Sequence, residues 1–387
     1  MSAFRLYPHP PAVKAINTMT ANDRPDVLHY VGYDTDRGGI ISIVRALSQE
    51  QRFRCILGVN PGFMQLRLPA LPSLEFPPLQ GERLGLRTLW RARAVALRVR
   101  DWLHDDGSRV FHGHSRAGLA VGVWLSWLNE RRNVASVHCY GRQRWFYRWC
   151  NRRMGQGMYW LSPEMRRYYG IAGSAWEQCI PGCFPSGDVG RPLQRSPLPE
   201  IVRLGGVGAL VPWKKWGLIL DALAAVPRAV RDRLHFSHIG AGDGTPMSVR
   251  YEASLLEKTR ALGLEGTVTW KGEQASAREF MGSIDCLVIA SDHEPFSIAM
   301  LEALAVGVPV LAADSGGARD VIQESVNGWF YRTNSVGDLC RSLTLLATTD
   351  ALCSVALDPD SVLRFSADQI AAQWAKVYST LLAGNKP

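Results

Sequence analysis

The chain has no apolar run long enough to cross a bilayer. Its longest nearly apolar stretch, Ala117 to Leu128, is well short of the roughly 20 residues a membrane helix needs and reads as a core helix. No basic-plus-apolar signal opens it, and Met1 to Asp23 reads as a loose leader. The eight cysteines follow no repeating spacing. Cys179 and Cys183 are the closest pair, with no second pair or histidine cluster to complete a zinc site, so reduced thiols are expected. No nucleic-acid recognition motif is present. These absences point to a cytoplasmic protein without a structural metal and with no nucleic acid as partner.

The 387 residues are 47% apolar and 20% charged, which excludes disorder and supplies material for two cores of ordinary size. The basic excess is one-sided. Residues 1–190 hold 25 Lys/Arg against 14 Asp/Glu, a net +11, whereas the remainder is −2. Such a field suits an anionic partner for the first half, a phospholipid, a phosphorylated carrier or a nucleic acid, with a merely solvated basic surface as the alternative.

Val27 to Tyr33 reads as a buried strand, followed by the turn Asp34 to Gly39 and a helix from Ile40, the opening of a nucleotide-type βαβ layout. Phe53 to Val59 reads as a second strand. The stretch Pro69 to Gln80, with prolines at 69, 72, 77 and 78, reads as irregular loop. Leu86 to Leu103 reads as a helix carrying Arg91, Arg98 and Arg100. A short strand then ends in Gly113-His114-Ser115, and Val134 to His138 is another. A histidine at the C-terminal edge of a parallel strand sits where open α/β sheets bind ligands, although a lone one is more often a satisfied loop residue. In the helix that follows, Arg144, Arg148 and Arg152 stack beside Trp145 and Trp149, which fits an anionic membrane surface or a phosphate-bearing acceptor, and equally a partly buried helix with a solvated edge.

The Pro/Gly/Ser-rich stretch from Pro181 to Pro199 reads as a linker. The expected organisation is an N-terminal domain over 25–184, a linker over 185–199, a C-terminal domain over 200–365 and a terminal crossover helix over 366–387, with Ala367 to Leu382 helical. Everything is organised around Ser291 to Gly317. There a Glu-Pro-Phe-Ser turn enters an Ala/Leu-rich helix that stops at Gly307 and Pro309, followed by a strand over Val308 to Ala312 and the loop Asp314-Ser315-Gly316-Gly317. Glu294 falls at the helix mouth, and Glu302, eight residues on, about two turns in. A helix mouth attracts anions, and carboxylates accept hydrogen bonds from sugar hydroxyls; together they suggest a sugar nucleotide.

This string, with LEALAVGVPV after the turn, resembles the C-terminal domain of the retaining family-4 glycosyltransferases. Leu204 to Trp216 resembles that family's G-R-L-x-P-x-K-G element, and Ala241 to Gly244 its GxGDG-like turn. The resemblance implies a GT-B fold: two Rossmann-like α/β domains whose parallel sheets face across a cleft, with a C-terminal helix crossing back to the N-terminal domain. It implies a hexose-type transfer, retaining and metal-independent, from a UDP- or GDP-linked sugar to a lipid-linked or polysaccharide acceptor. No cofactor is expected beyond this nucleotide-sugar substrate. It assigns the donor diphosphate to Gly38, Gly39, Gly208, Lys214 and the N–H groups of Phe296, Ser297 and Ile298, the sugar hydroxyls to Glu294 and the ribose to Glu302. His138 falls beside the reacting sugar, and His114 matches a less uniform position. Peripheral association with the inner face of the plasma membrane is expected through Arg91, Arg98, Arg144 and Arg148.

Two departures stand out. The family arginine is Ala209 here, the loss of a charge-assisted contact worth about 1.5–3 kcal/mol unless Lys215 substitutes. Ser297 replaces a glycine. The alternative is therefore a catalytically weak or inactive nucleotide-sugar-binding protein of the same fold. Asp34-Thr35-Asp36 spells a metal-binding pattern but precedes the glycine turn, where a loop reading is favoured.

Overall fold

Strands buried on both faces need continuous apolar runs, and parallel neighbours need helical crossovers; the chain supplies both. The computed structural model describes residues 24–36, 38–66, 69–79, 86–173, 176–187, 199–274, 276–355, 357 and 360–384. The leader Met1 to Asp23 and positions 188–198 of the linker lie outside them. Two compact units result: Met1–Ser186 with Arg364–Pro387, and Gly187–Leu363.

In the first unit, strands β1 (Asp26–Tyr30), β2 (Arg54–Val59), β3 (Ser73–Glu75), β4 (Arg109–Gly113), β5 (Asn133–Val137) and β6 (Met158–Trp160) form one parallel sheet in the order β3-β2-β1-β4-β5-β6. β3 corrects the loop reading of Pro69 to Gln80. Three residues between prolines suffice for an edge strand, where a missing N–H costs no ladder bond on the open side. The helix Leu86–Asp105 buries Ala92, Val95, Ala96, Val99 and Leu103 as one stripe and leaves Arg91 and Arg98 exposed.

The terminal helix Ala367–Leu382 starts where the sequence places it. Ser366 caps it by accepting the Gln369 N–H, and Ile370, Trp374, Tyr378 and Leu381 are buried along one face. It packs on β4 and on the helix Gly39–Gln49 and so belongs to the first unit. Burying Ile370 and Leu381 contributes about 1.5–3 kcal/mol each.

In the second unit, β7 (Val202–Val207), β8 (Leu234–Ile239), β9 (Val268–Trp270), β10 (Cys286–Ile289), β11 (Val310–Ala313) and β12 (Gly328–Tyr331) form a second parallel sheet in the order β12-β11-β10-β7-β8-β9. Its core joins Leu204, Phe236 and Val288 to Trp216, Leu220 and Leu343 from the covering helices. All eight cysteines are free thiols. Among the described residues no helix is long and apolar enough to cross a membrane.

Candidate active site

In the second unit the chain builds β7, β8 and β9 toward one edge and then returns to place β10 on the other side of β7. The loops after β7 and β10 therefore part at the topological switch point, the crevice where open α/β sheets take ligands. Lys214 comes from the first loop and Glu294 from the second. The Lys214 ammonium donates to Glu294 Oε2 at 2.7 Å, and the Ser291 hydroxyl donates to the same oxygen at 2.8 Å. With side chains only 15% and 9% exposed, the pair is largely shielded from solvent. The ammonium also lies 4.4 Å from the ring centre of the exposed Trp213.

Lys215 adopts a left-handed φ of +57° at the start of the helix Trp216–Ala225 and pairs with Asp292 at 3.1 Å. This bears directly on Ala209. The second lysine does reach the same loop, but a carboxylate already holds it. Two lysines thus face two carboxylates, and their charges balance.

The Glu294 loop is clamped from the β11 side. Gly316 has φ +58°, and a Cβ there would stand 2.1 Å from the Glu294 carbonyl oxygen; the Gly317 N–H donates to that oxygen at 3.0 Å. A Cβ on Gly317 would stand 2.4 Å from the Pro295 carbonyl oxygen. The two glycines hold the Glu294 loop in place, a role the sequence reading missed. The available signal was a glycine pair directly after a strand next to the one that carries the carboxylate.

Ser297 is the N-cap of the helix Ile298–Ala305, its hydroxyl accepting from the Met300 N–H, which gives a local reason for serine at a glycine position. The first-turn N–H of Ile298 has no acceptor within its own helix. Because 294–297 are not helical, half-buried Glu302 sits one turn into the helix rather than two. Gly208, just past β7, has φ +143° and lies against the Lys214 side chain.

In the first unit Gly38 has φ +107° and is the N-cap of the helix Gly39–Gln49, with no side-chain cap. His138 stands immediately past β5, half-buried, its Nε2 3.0 Å from His114 Nδ1. Burial pushes the His138 imidazole down to about 3, so it is neutral at physiological pH. The Asp34-Thr35-Asp36 carboxylates are spent within the fold. Asp34 accepts from Asn60 at 2.8 Å, and buried Asp36 accepts from Arg45 at 3.0 Å and the Leu66 N–H at 2.9 Å. Two of the four arginines expected at a membrane are likewise engaged: Arg144 lies 4.0 Å over the Tyr168 ring, and Arg148 donates to the Tyr169 carbonyl at 2.7 Å.

A cavity of about 640 Å³ lies at the ends of β11 and β12, with neither Lys214 nor Glu294 in its lining. Its arginines are paired, Arg319 with Asp314 and Arg341 and Arg332 with Asp338, which leaves it little net charge for an anion.

Residues 203–354 match the family model of glycosyl transferases group 1. The chain is 26% identical over 376 residues to the phosphatidyl-myo-inositol mannosyltransferase of Mycobacterium leprae, covering 89% of this chain and 93% of that one. It is 28% identical over 177 residues to a D-inositol 3-phosphate glycosyltransferase of Actinosynnema mirum, covering 44% of this chain and 42% of that one. Among solved structures it is similar to Anabaena HepE in complex with UDP, with a TM-score of 0.73 at 20% identity, covering 92% of this chain and 100% of that one. It is also similar to sucrose-phosphate synthase from Thermosynechococcus elongatus, with a TM-score of 0.71 at 15% identity, covering 94% and 100%. The match to the group 1 glycosyl transferases thus lies within the second unit, in a chain whose two α/β units have the GT-B fold.

Proposed function

We propose that the protein transfers a hexose from a UDP- or GDP-linked donor to a lipid-linked or polysaccharide acceptor, with retention and without a bound metal ion. The observation that carries this is the Lys214–Glu294 pair at the switch point of the second sheet, a cation and a hydroxyl acceptor held together where α/β sheets take nucleotides. Lys214 and the N–H groups of Phe296, Ser297 and Ile298 stabilise the departing diphosphate, with Gly38, Gly39 and Gly208 letting backbone approach it. Glu294 holds hydroxyls of the transferred sugar, Glu302 those of the ribose, and His138 bonds the sugar or acceptor. The bond between the anomeric carbon and the diphosphate oxygen breaks as the acceptor oxygen bonds to that carbon from the same face, and the acceptor proton passes to the leaving phosphate. HepE has been crystallised with UDP and with UDP-glucose, which supports a nucleotide-sugar donor. The mannosyltransferase relative is named for a phosphatidyl-myo-inositol substrate, which supports a lipid acceptor. Exposed Trp90 and Trp145, with exposed Arg91 and Arg98 on the helix Leu86–Asp105, favour docking on the anionic inner face of the plasma membrane.

A second reading, a binding protein of little turnover, is favoured by Ala209 together with the engagement of Lys215 by Asp292. Titration calorimetry with UDP-, GDP- and ADP-hexoses tests the donor site that both readings share. One donor binds the wild type, and Glu302→Ala weakens it at least about tenfold by removing a charged hydrogen-bond acceptor. Absence of binding across the panel overturns the donor assignment.

A further inference from the structure

Four histidines gather where the first sheet reverses its strand order. His29 on β1 and His112 on β4 are register partners, His114 follows β4 by one residue, and His138 follows β5 by one. Three of the rings join end to end. His29 Nδ1 lies 2.8 Å from His114 Nε2, and His114 Nδ1 lies 3.0 Å from His138 Nε2. His112 stands beside the line rather than in it. Its ring stacks on His114 at 4.0 Å, and its nitrogens are bonded to Tyr378 Oη at 2.7 Å and Ser136 Oγ at 2.8 Å. The far end of the line, His29 Nε2, is buried with no hydrogen-bond partner.

A neutral imidazole has one N–H and one lone pair. In a line of three, every donor must meet an acceptor, so only two proton arrangements exist: all N–H groups on Nδ1, or all on Nε2. The second leaves an orphan N–H at His29 Nε2 inside the core, and the first leaves only an unfilled lone pair. Orphan buried N–H groups are the rarer and costlier of the two. We propose that His29 and His114 are positioning residues that lock His138 in its neutral Nδ1–H form, with Nε2 occupied and Nδ1–H left as the donor toward its ligand. The rings of His29, His112 and His114 are close enough to share a cation. However, the nitrogens of His112 and His114 are already matched by hydrogen-bond partners, and three neutral ligands would leave a buried double charge unbalanced.

The proposal rests on the reading of His138 as a sugar- or acceptor-contacting group, but its test does not require turnover. Long-range proton–nitrogen NMR on histidine-labelled protein, with His138→Gln for assignment, reads the tautomer directly. The expected result is Nδ1–H on His138. His114→Leu, which removes the donor that meets His138 Nε2, releases His138 to the Nε2–H form, whereas His114→Asn, whose amide N–H can replace Nδ1–H, retains Nδ1–H. Circular dichroism on both variants ensures that only folded protein is compared. An Nε2–H His138 in the wild type, an unchanged tautomer in His114→Leu, or one equivalent of tightly bound zinc lost in His114→Leu each overturns the relay. If the tautomer switches while turnover of the accepted donor is unaltered, the relay stands and the role of His138 in transfer falls instead.

Discussion

Lowering the pH from 7 to 5 should strip stability from the first unit well before its carboxylates titrate. His29, His112 and His114 are buried and neutral. Burial pushes His29 down to about 3. It holds His112 and His114 well below the usual imidazole range, helped by mutual repulsion among the neighbouring rings. In the unfolded chain each titrates near 6.5. Between that value and the depressed folded one the unfolded state binds more protons, so the stabilising contribution is complete above about 6.5 and is lost as the pH falls. From pH 7 to 5 each ring accounts for at most about 2 kcal/mol, and the three together with His138, also pushed down to about 3, for at most about 8 kcal/mol, a large share of the 5–15 kcal/mol typical of a domain. For a unit of this size the melting temperature should drop by up to about 16–32 °C. Thermal melts followed by tryptophan fluorescence at half-unit pH steps measure it. The second unit, where burial pushes His238 down to about 3, should shift by about a quarter as much. A first unit whose melting is independent of pH between 5 and 7, or imidazoles that titrate ordinarily in the native protein, would refute the reasoning.

Other consequences follow from the site. Gly316→Ala puts a Cβ 2.1 Å from the Glu294 carbonyl oxygen at a left-handed φ. It should cost about 1–3 kcal/mol in denaturant titration and weaken donor binding in calorimetry. Lys214→Met leaves the Glu294 carboxylate shielded with its cation gone, and should destabilise the second unit by up to about 3–5 kcal/mol. Adding Glu294→Gln should restore much of that stability and none of the donor binding, and recovery of both would remove Lys214 from the site.

The α/β alternation, the terminal helix, and the Glu-Pro-Phe-Ser entry to the helix Ile298–Ala305 were legible because each is a local pattern. Apolar period, capping residue and stop signal all fall within a dozen residues. What escaped depends on distant approach. Nothing near Lys215 announces that it meets Asp292, and nothing near Gly316 announces a carbonyl two loops away. β3 is three residues long and defined only by its pairing with β2. Glu302 was placed a turn too deep because the eight-residue spacing was read as helical when its first half is a turn. The histidine line joins residues 85 positions apart. Its one local sign was the His112-Gly113-His114 alternation, which points two imidazoles to one face of a strand at the point where the sheet reverses order.

The most direct test of the account is nucleotide release from UDP-, GDP- and ADP-sugars without acceptor, comparing wild type with Glu294→Ala. Slow release from one donor, absent in the variant, is the predicted result. Equal release by both proteins, or none from any donor despite measurable binding, would contradict transfer and leave a nucleotide-sugar-binding protein.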